Sequence, residues 1–252
     1  MARSKFTPTN RLLASLPRAD LARLMPSLEH VDLAVGQRLH EPGSAAEHFY
    51  FPGTCIVSLL GVLQNGATAE ISLTGREGGI GLGLILGGGS TLARATVQTA
   101  GTALRWKTSA LRREMKRGGA VQQMLLRYIQ AVWTQTAQSA LCNRHHTLEQ
   151  QLCRWFLLSL DRIEGNVLRM TQQLIANMIG VRRERVALIV KKMRASGWIS
   201  YKHGVIIVRD RRALEAKVCE CYEVVKAEYQ RLIGWRPIEA NSRRESRSLK
   251  QT

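Results

Sequence analysis

The stretch GVRRERVALIVKK at residues 180–192 combines hydrogen-bonding groups with a regular apolar pattern. Its apolar positions recur at three- and four-residue steps, which predicts an amphipathic helix from about Arg182 to Ala195. The opposite face carries Glu184, Leu188 and Lys191, flanked by Arg185 and Lys192, while Arg183 lies in the first turn. An arginine near a helix N-terminus can donate two hydrogen bonds to guanine, and a glutamate can accept one from cytosine. These side chains are therefore suited to reading bases in a DNA groove.

The elements on either side of this helix predict how it is positioned. Thr171 is of the residue type that caps helix N-termini, and Gly180 would end the helix that Thr171 begins. Residues 198–208 form two apolar runs around a Lys-His-Gly turn at 202–204, which predicts a β-hairpin. Two short helices and a basic hairpin are typical of a winged helix-turn-helix. An ordinary helical hairpin with a solvated charged face remains the alternative at this point.

The charge of the chain indicates a polyanionic partner. The 252 residues carry a net charge of +18, and residues 166–252 contain 19 Lys+Arg against 8 Asp+Glu. Nucleic acid and an anionic membrane surface both fit this excess. Phosphate contacts position a protein on DNA without reading its sequence. The candidates for them are Thr171, Lys191, Lys192, Lys202 and His203.

No apolar run is long enough to span a membrane, and the N-terminal residues lack the apolar core of a signal peptide. We therefore expect a cytoplasmic protein with no membrane partner. The five cysteines are odd in number and widely scattered, so they do not indicate a disulfide framework.

The rest of the chain changes pattern twice. From about Val31 to Trp106, short apolar stretches alternate with glycine turns, and Asn65-Gly66 is a strong hairpin signal, so an antiparallel barrel or sandwich is expected. Helical periodicity follows, with a short helix ending at 118–119 and a longer one over about 119–145. Small residues near the end of the longer helix favour pairing with a second copy. The polar tail is predicted to be disordered.

The segment MTQQLIANMIGVRRERVALIVKKMRASGWISYKHGVIIV resembles the DNA-binding domain of the CRP/FNR superfamily of bacterial transcription regulators. The resemblance implies an α+β chain: a β-roll sensor domain over 1–118, a dimerisation helix and hinge over 119–146, and a winged helix-turn-helix over 147–236, followed by the polar tail over 237–252. It also implies a homodimer on an inverted-repeat site of double-stranded DNA, with RNA polymerase as a candidate partner. Its winged domains would rotate about residues 143–147.

The resemblance also assigns roles within the basic helix. Arg183 and Glu184 match the family's base-reading pair, while Leu188 stands where a basic residue often adds a contact. A leucine can only touch a thymine methyl there, so we expect a different half-site. Arg182 and Arg185 replace small hydroxyl residues, which favours additional phosphate contacts.

The sensor half departs from the cyclic-nucleotide-binding pattern. The corresponding segment, REGGIGLGLILGGGSTLARATV, lacks the Gly-Glu pair, and Arg94 is followed by Ala95 where the family has a hydroxyl residue. Cyclic-nucleotide binding is therefore not expected and stays an alternative. Glu77 and Arg94 remain candidate contacts to an unidentified small-molecule effector, although a surface ion pair or a turn would also explain them.

No metal or other cofactor is expected from the cysteines. The first one, Cys55, lies too late for the family's N-terminal iron–sulfur ligands. Cys142 and His146 are four residues apart and supply only two ligands, while Cys219 and Cys221, if helical, would point about 200° apart. Buried structural thiols explain Cys219 and Cys221.

No enzymatic function is expected either. The glycine-rich segment 75–89 fits neither a P-loop nor a dinucleotide fingerprint, and glycine turns in a β-roll explain it. Two alternatives remain: a protein that coats nucleic acid nonspecifically, and a sensor whose DNA-binding domain is vestigial.

Overall fold

A computed structural model describes residues 9–91 and 93–237 of the chain. Its helices are α1 Arg11–Ala14, α2 Arg18–Leu24, α3 Leu82–Ile85, α4 Thr108–Arg117, α5 Ala120–His145, α6 Leu148–Leu160, α7 Gln172–Ile179, α8 Arg183–Ala195, α9 Arg211–Glu215 and α10 Cys221–Ile233, with a 3-10 turn at Met25–Ser27. Its strands are β1 Leu28–Leu33, β2 Arg38–His40, β3 His48–Pro52, β4 Ile56–Val62, β5 Thr68–Thr74, β6 Arg94–Thr99, β7 Gly101–Lys107, β8 Val167–Arg169, β9 Ile199–Lys202 and β10 Val205–Val208.

Strands β1–β7 form the predicted antiparallel roll. Three of them pair in the order β1-β7-β3 and four in the order β2-β6-β4-β5. The β4–β5 hairpin turns at Asn65-Gly66, where Gly66 takes the left-handed φ of 83° that a tight turn requires. Phe49, Phe51 and Trp106 fill the interior. The predicted α+β fold class is confirmed.

The glycine-rich segment differs from its prediction. Between Gly81, whose φ is 115°, and Gly87, whose φ is 86°, the chain forms the one-turn helix α3 rather than turns alone. Leu84 of this helix is buried in the roll and Leu86 is exposed beside it. Sequence periodicity cannot detect a single helical turn, which explains the difference.

Helix α5 has one buried face and one exposed apolar face. Val121, Leu125 and Tyr128 of the first face pack in the core below the roll. The second face exposes Leu126, Trp133 and Leu141, of which Trp133 is 77% exposed. An indole this exposed on a long helix is typical of a surface that a partner covers.

The C-terminal unit follows the prediction closely and adds elements to it. Helix α6 begins with a capping box in which Thr147 and Gln150 exchange hydrogen bonds. Helices α7 and α8 pack beside a three-stranded sheet in the order β8-β10-β9. Strand β8, α9 and α10 were not predicted. Helix α10 packs along α5 and touches α6.

The predicted disordered tail lies outside the described residues from residue 238 onward. The domain boundaries stay a prediction. One buried apolar cluster is continuous from the roll through α5 and α6 to the winged unit. None of the helices among the described residues combines the length and apolar composition that a bilayer span needs.

Candidate nucleic-acid interface

Helix α7 begins and ends at residues whose types explain both of its termini. The Oγ1 atom of Thr171 accepts a hydrogen bond of 3.1 Å from the Leu174 amide, so Thr171 is the predicted N-cap. Gly180 ends the helix with a φ of 78°, a conformation that costs glycine little. After this turn, Val186, Val190 and Met193 bury one face of α8 against the core. The packing fixes which side chains of α8 face solvent.

The start of α8 places four charged side chains in solvent. They are Arg182, Arg183, Glu184 and Arg185. Arg182 occupies the N-cap position and makes no capping hydrogen bond. Cations near a helix N-terminus are disfavoured by the helix dipole, by about 0.3–1 kcal/mol each. Three arginines here are locally unfavourable, which is expected where an anionic ligand compensates them.

Leu188 lies one turn further along the same exposed face. Its side chain is 67% exposed, as the sequence predicted, and it can donate no hydrogen bond. Lys191 is also exposed, on the following turn. Lys192 instead forms an ion pair with Glu149 of α6, although the lysine remains 60% exposed. Its predicted phosphate contact would compete with this pair.

The wing is the hairpin of β9 and β10. Its turn is formed by His203, with a φ of 47°, and Gly204, with a φ of 75°. Two consecutive left-handed residues produce the type I′ turn that suits strand twist. Lys202 and His203 are exposed at its tip, so the structure leaves both available for the predicted phosphate contacts.

Glu77, a predicted effector contact, lies in a buried ion pair. Its Oε1 accepts a hydrogen bond of 2.7 Å from Arg162 Nε, and neither side chain is exposed. The Gly75 amide also donates to the carboxylate at 3.1 Å. Arg162 donates further to Gln135 Oε1 at 3.2 Å and to the Leu158 carbonyl at 2.7 Å. A ligand could reach this carboxylate only by displacing Arg162.

Arg162 also contacts the C-terminal helix. Its guanidinium lies 5.7 Å from the centre of the Tyr229 ring and 5.3 Å from that of Trp235. Arg162 therefore joins the roll, α5, α6 and the end of α10. Sequence reasoning missed this residue because its partners are distant along the chain.

Arg94, the other predicted effector contact, pairs with Glu41 at 2.9 Å. Glu41 also lines a surface cavity of about 280 Å³ together with His40, His48 and Tyr50. Burial lowers the pKa of His40, whose Nε2 lies 2.9 Å from the His48 carbonyl. Arg94 is thus close to a cavity while its own charge is already paired.

A second contact between the roll and the C-terminal unit involves Glu70 of β5. Its Oε1 accepts a hydrogen bond of 2.9 Å from Trp155 Nε1 on α6. Its Oε2 is buried with no hydrogen-bond partner among the described residues. Burial raises the pKa of this carboxyl to about 7, so its charge changes close to neutral pH.

The structure brings together two pairs of residues that lie far apart in the sequence. Cys142, His146, Cys219 and Cys221 place one donor atom each within 4.8 Å of one another. The sequence predicted that the side chains of Cys219 and Cys221, if both were helical, would point in different directions. This prediction is wrong because α10 begins only at Cys221, so Cys219 lies outside the helix. Their Cys-x-Cys spacing was visible, but the packing of α10 on the end of α5 was not.

Comparison with known proteins agrees with this geometry. Residues 150–217 match the family model of the Crp-like helix-turn-helix domain. No curated protein sequence matches the chain. Among solved structures, FixK2 from Bradyrhizobium japonicum is 17% identical, with a TM-score of 0.65 over 76% of this chain and 98% of its own.

Two further structures share the fold. A CRP/FNR-family transcriptional regulator from Thermus thermophilus is 18% identical, with a TM-score of 0.61 over 77% of this chain and 98% of its own. The c-di-GMP responsive global regulator CLP from Xanthomonas campestris is 14% identical, with a TM-score of 0.60 over 76% of this chain and 99% of its own.

The exposed basic helix thus belongs to a helix-turn-helix domain, which the chain carries together with a β-roll and a long helix. Residues 150–217 are therefore a Crp-like helix-turn-helix domain, and the chain has the fold of CRP/FNR-family regulators, in agreement with the resemblance seen in its sequence.

Proposed function

We propose that the chain is a sequence-specific regulator that reads an inverted-repeat DNA site as a homodimer, with α8 in the major groove. The observation that carries this proposal is the exposed start of α8, where Arg183 and Glu184 stand free of the core. Arg183 would contact guanine and Glu184 would contact cytosine. Leu188 would touch a thymine methyl, while Arg182 and Arg185 would meet phosphates.

The exposed apolar face of α5 supports the homodimer. Trp133, Thr136, Ala137 and Ala140 of α5, with Leu82 and Leu86 of the roll, line an apolar groove of about 350 Å³. A second copy related by two-fold symmetry would cover this groove with its own α5. The two α8 helices would then enter successive major grooves about 34 Å apart.

The remaining parts of the proposal concern partners and location. The protein would act in the cytoplasm beside the chromosome, in a regulatory rather than a catalytic role, and RNA polymerase is a candidate partner. A small molecule at the roll would shift the population between two arrangements of the winged units. The cavity beside Arg94 is one place where it could bind.

Selection of bound duplexes from a random library tests the proposal. We expect an inverted repeat, and we expect the double variant R183A/E184A to lose affinity for it. Removing each base-reading side chain should cost about 1–3 kcal/mol, or about 5–150-fold in affinity. R194A is the matched control, because Arg194 is exposed on the last turn of the same helix.

Two results would contradict sequence-specific reading. The first is equal competition by unrelated duplexes at about 0.15 M salt, where the electrostatic contribution is partly screened. The second is an unchanged sequence preference in R183A/E184A, which would indicate a vestigial DNA-binding domain. K191A should instead weaken binding to all duplexes alike. It should also reduce the slope of log affinity against log salt concentration by about one.

A further inference from the structure

Four donor atoms meet where the end of α5 contacts the start of α10. Cys142 and His146 lie one turn apart at the end of α5, Cys219 lies just before α10, and Cys221 is its first residue. We call them the thiol–imidazole cluster. The three cysteines are at most 3% exposed. The Sγ atoms of Cys142 and Cys219 lie 3.6 Å apart, and Cys221 Sγ lies 3.6 Å from His146 Nδ1.

These separations match the edges of a tetrahedral zinc site. Zinc binds thiolate sulfur at about 2.3 Å and imidazole nitrogen at about 2.0 Å. In a regular tetrahedron those bond lengths give edges of about 3.8 Å between sulfurs and about 3.5 Å between sulfur and nitrogen. All four donor atoms of the cluster lie within 4.8 Å of one another. An ion could therefore enter with small adjustments of the side chains.

The surroundings of the cluster also suit a metal. If His146 binds through Nδ1, its Nε2 faces Glu220 Oε2 at 3.3 Å. A carboxylate in this position orients a metal-binding histidine and increases its basicity. Three thiolates and a divalent ion leave a net charge of −1. Arg154, a buried cation bonded to Ser139 one turn before Cys142, can balance it.

We propose that Cys142, His146, Cys219 and Cys221 form a structural Cys₃His zinc site that fixes α10 to the end of the dimerisation helix. Three soft thiolates favour Zn²⁺ over the hard cations, and four protein ligands leave no open position for catalysis. Each thiol that binds releases its proton to solvent, so binding a zinc ion releases up to three protons. The site would join the end of α5 to the helix that follows the winged unit.

Metal titration of the full chain tests the site. The reduced, chelator-treated protein is titrated with Zn²⁺ against a chromophoric chelator, and with Co²⁺ under anaerobic conditions. We expect one ion per chain, thiolate-to-cobalt charge transfer and the visible bands of tetrahedral cobalt. The variants C219S and H146A should lose this binding. C153A is the matched control, because Cys153 is a buried thiol outside the cluster.

The variant E220Q keeps the test valid if the cysteine variants misfold. Glu220 is 75% exposed, so its amide should leave the fold intact. We expect about 10–100-fold weaker zinc binding, the usual effect of removing the carboxylate that supports a metal-binding histidine. These measurements need no DNA. The zinc site can therefore be refuted while the proposed function holds, and the proposed function can be refuted while the zinc site holds.

Several outcomes would overturn the zinc site. They are the absence of zinc binding by the reduced wild type, unchanged binding by well-folded C219S, iron with labile sulfide in place of zinc, and a Cys142–Cys219 disulfide as the native state. A disulfide would need an oxidant to accept two electrons. Mass spectrometry of the alkylated protein would detect it.

Discussion

Breaking the buried pair of Glu77 and Arg162 should destabilise the whole chain. The variant R162M keeps most of the apolar stem but leaves the buried Glu77 carboxylate without its partner at 2.7 Å. It also removes the hydrogen bonds to Gln135 and Leu158. Removing one member of a buried ion pair costs about 3–5 kcal/mol, because the remaining charge is uncompensated. Urea unfolding, followed by tryptophan fluorescence, measures the change.

The double variant E77L/R162M separates this explanation from simple loss of packing. Removing both charges should restore much of the stability lost by either single variant, since neither charge is then buried alone. R105M is the matched surface control, because Arg105 pairs with Glu29 at the same 2.7 Å but in solvent. It should leave the urea midpoint nearly unchanged. The reasoning is wrong if R162M lowers the free energy of unfolding by less than about 1 kcal/mol. It is also wrong if the loss in the double variant equals the sum of the losses in the two single variants.

Three further predictions follow from exposed and buried side chains. W133E should place charges on the face that we propose for the dimer and give monomers in light scattering at micromolar concentration; a dimer of W133E would argue against that face. L188Q should change the selected half-site at one base pair per arm and nowhere else, because glutamine can pair with adenine where leucine meets only a methyl. As the pH rises from about 5 to about 8, the free energy of unfolding of E70Q should rise by about 2 kcal/mol relative to that of wild type. The sign follows from a folded pKa of about 7 against an ordinary 4.5: stability present at low pH is lost as wild-type Glu70 ionises in its buried position, whereas glutamine does not ionise. Equal pH profiles in urea unfolding would contradict that assignment.

The sequence predicted the elements whose causes are local. Thr171 and Gly180 bound α7 through capping and a left-handed turn, and both are recognisable from residue type alone. The apolar period of α8 likewise fixed which of its side chains face solvent. Helix α3, by contrast, is too short for any period to appear.

The thiol–imidazole cluster and the pair of Glu77 with Arg162 could not be predicted, because both depend on how distant segments pack together. Cys142 and Cys219 are 77 positions apart, and Glu77 and Arg162 are 85 positions apart. No sequence spacing encodes contacts at that distance. Glu77 stands out in the sequence only because a glycine-rich segment surrounds it, and nothing in that segment points to a buried arginine just after α6.

The contacts at the end of α5 bear on how the winged unit could move. The sequence predicted rotation about residues 143–147, by resemblance to the family. In the structure, Gln151 Nε2 donates to the carbonyls of Cys142 and His146 across this joint, at 3.4 and 2.9 Å. Arg162, two residues after α6, is fixed to the roll through Glu77. A rotation before α6 would have to break this buried ion pair, whereas a rotation after it, near Gly165, would have to break the pair of Arg211 with the buried carboxylate of Asp161 at 2.6 Å. The two pairs therefore oppose rotation at either end of α6, because one holds α6 to the roll and the other holds it to α9.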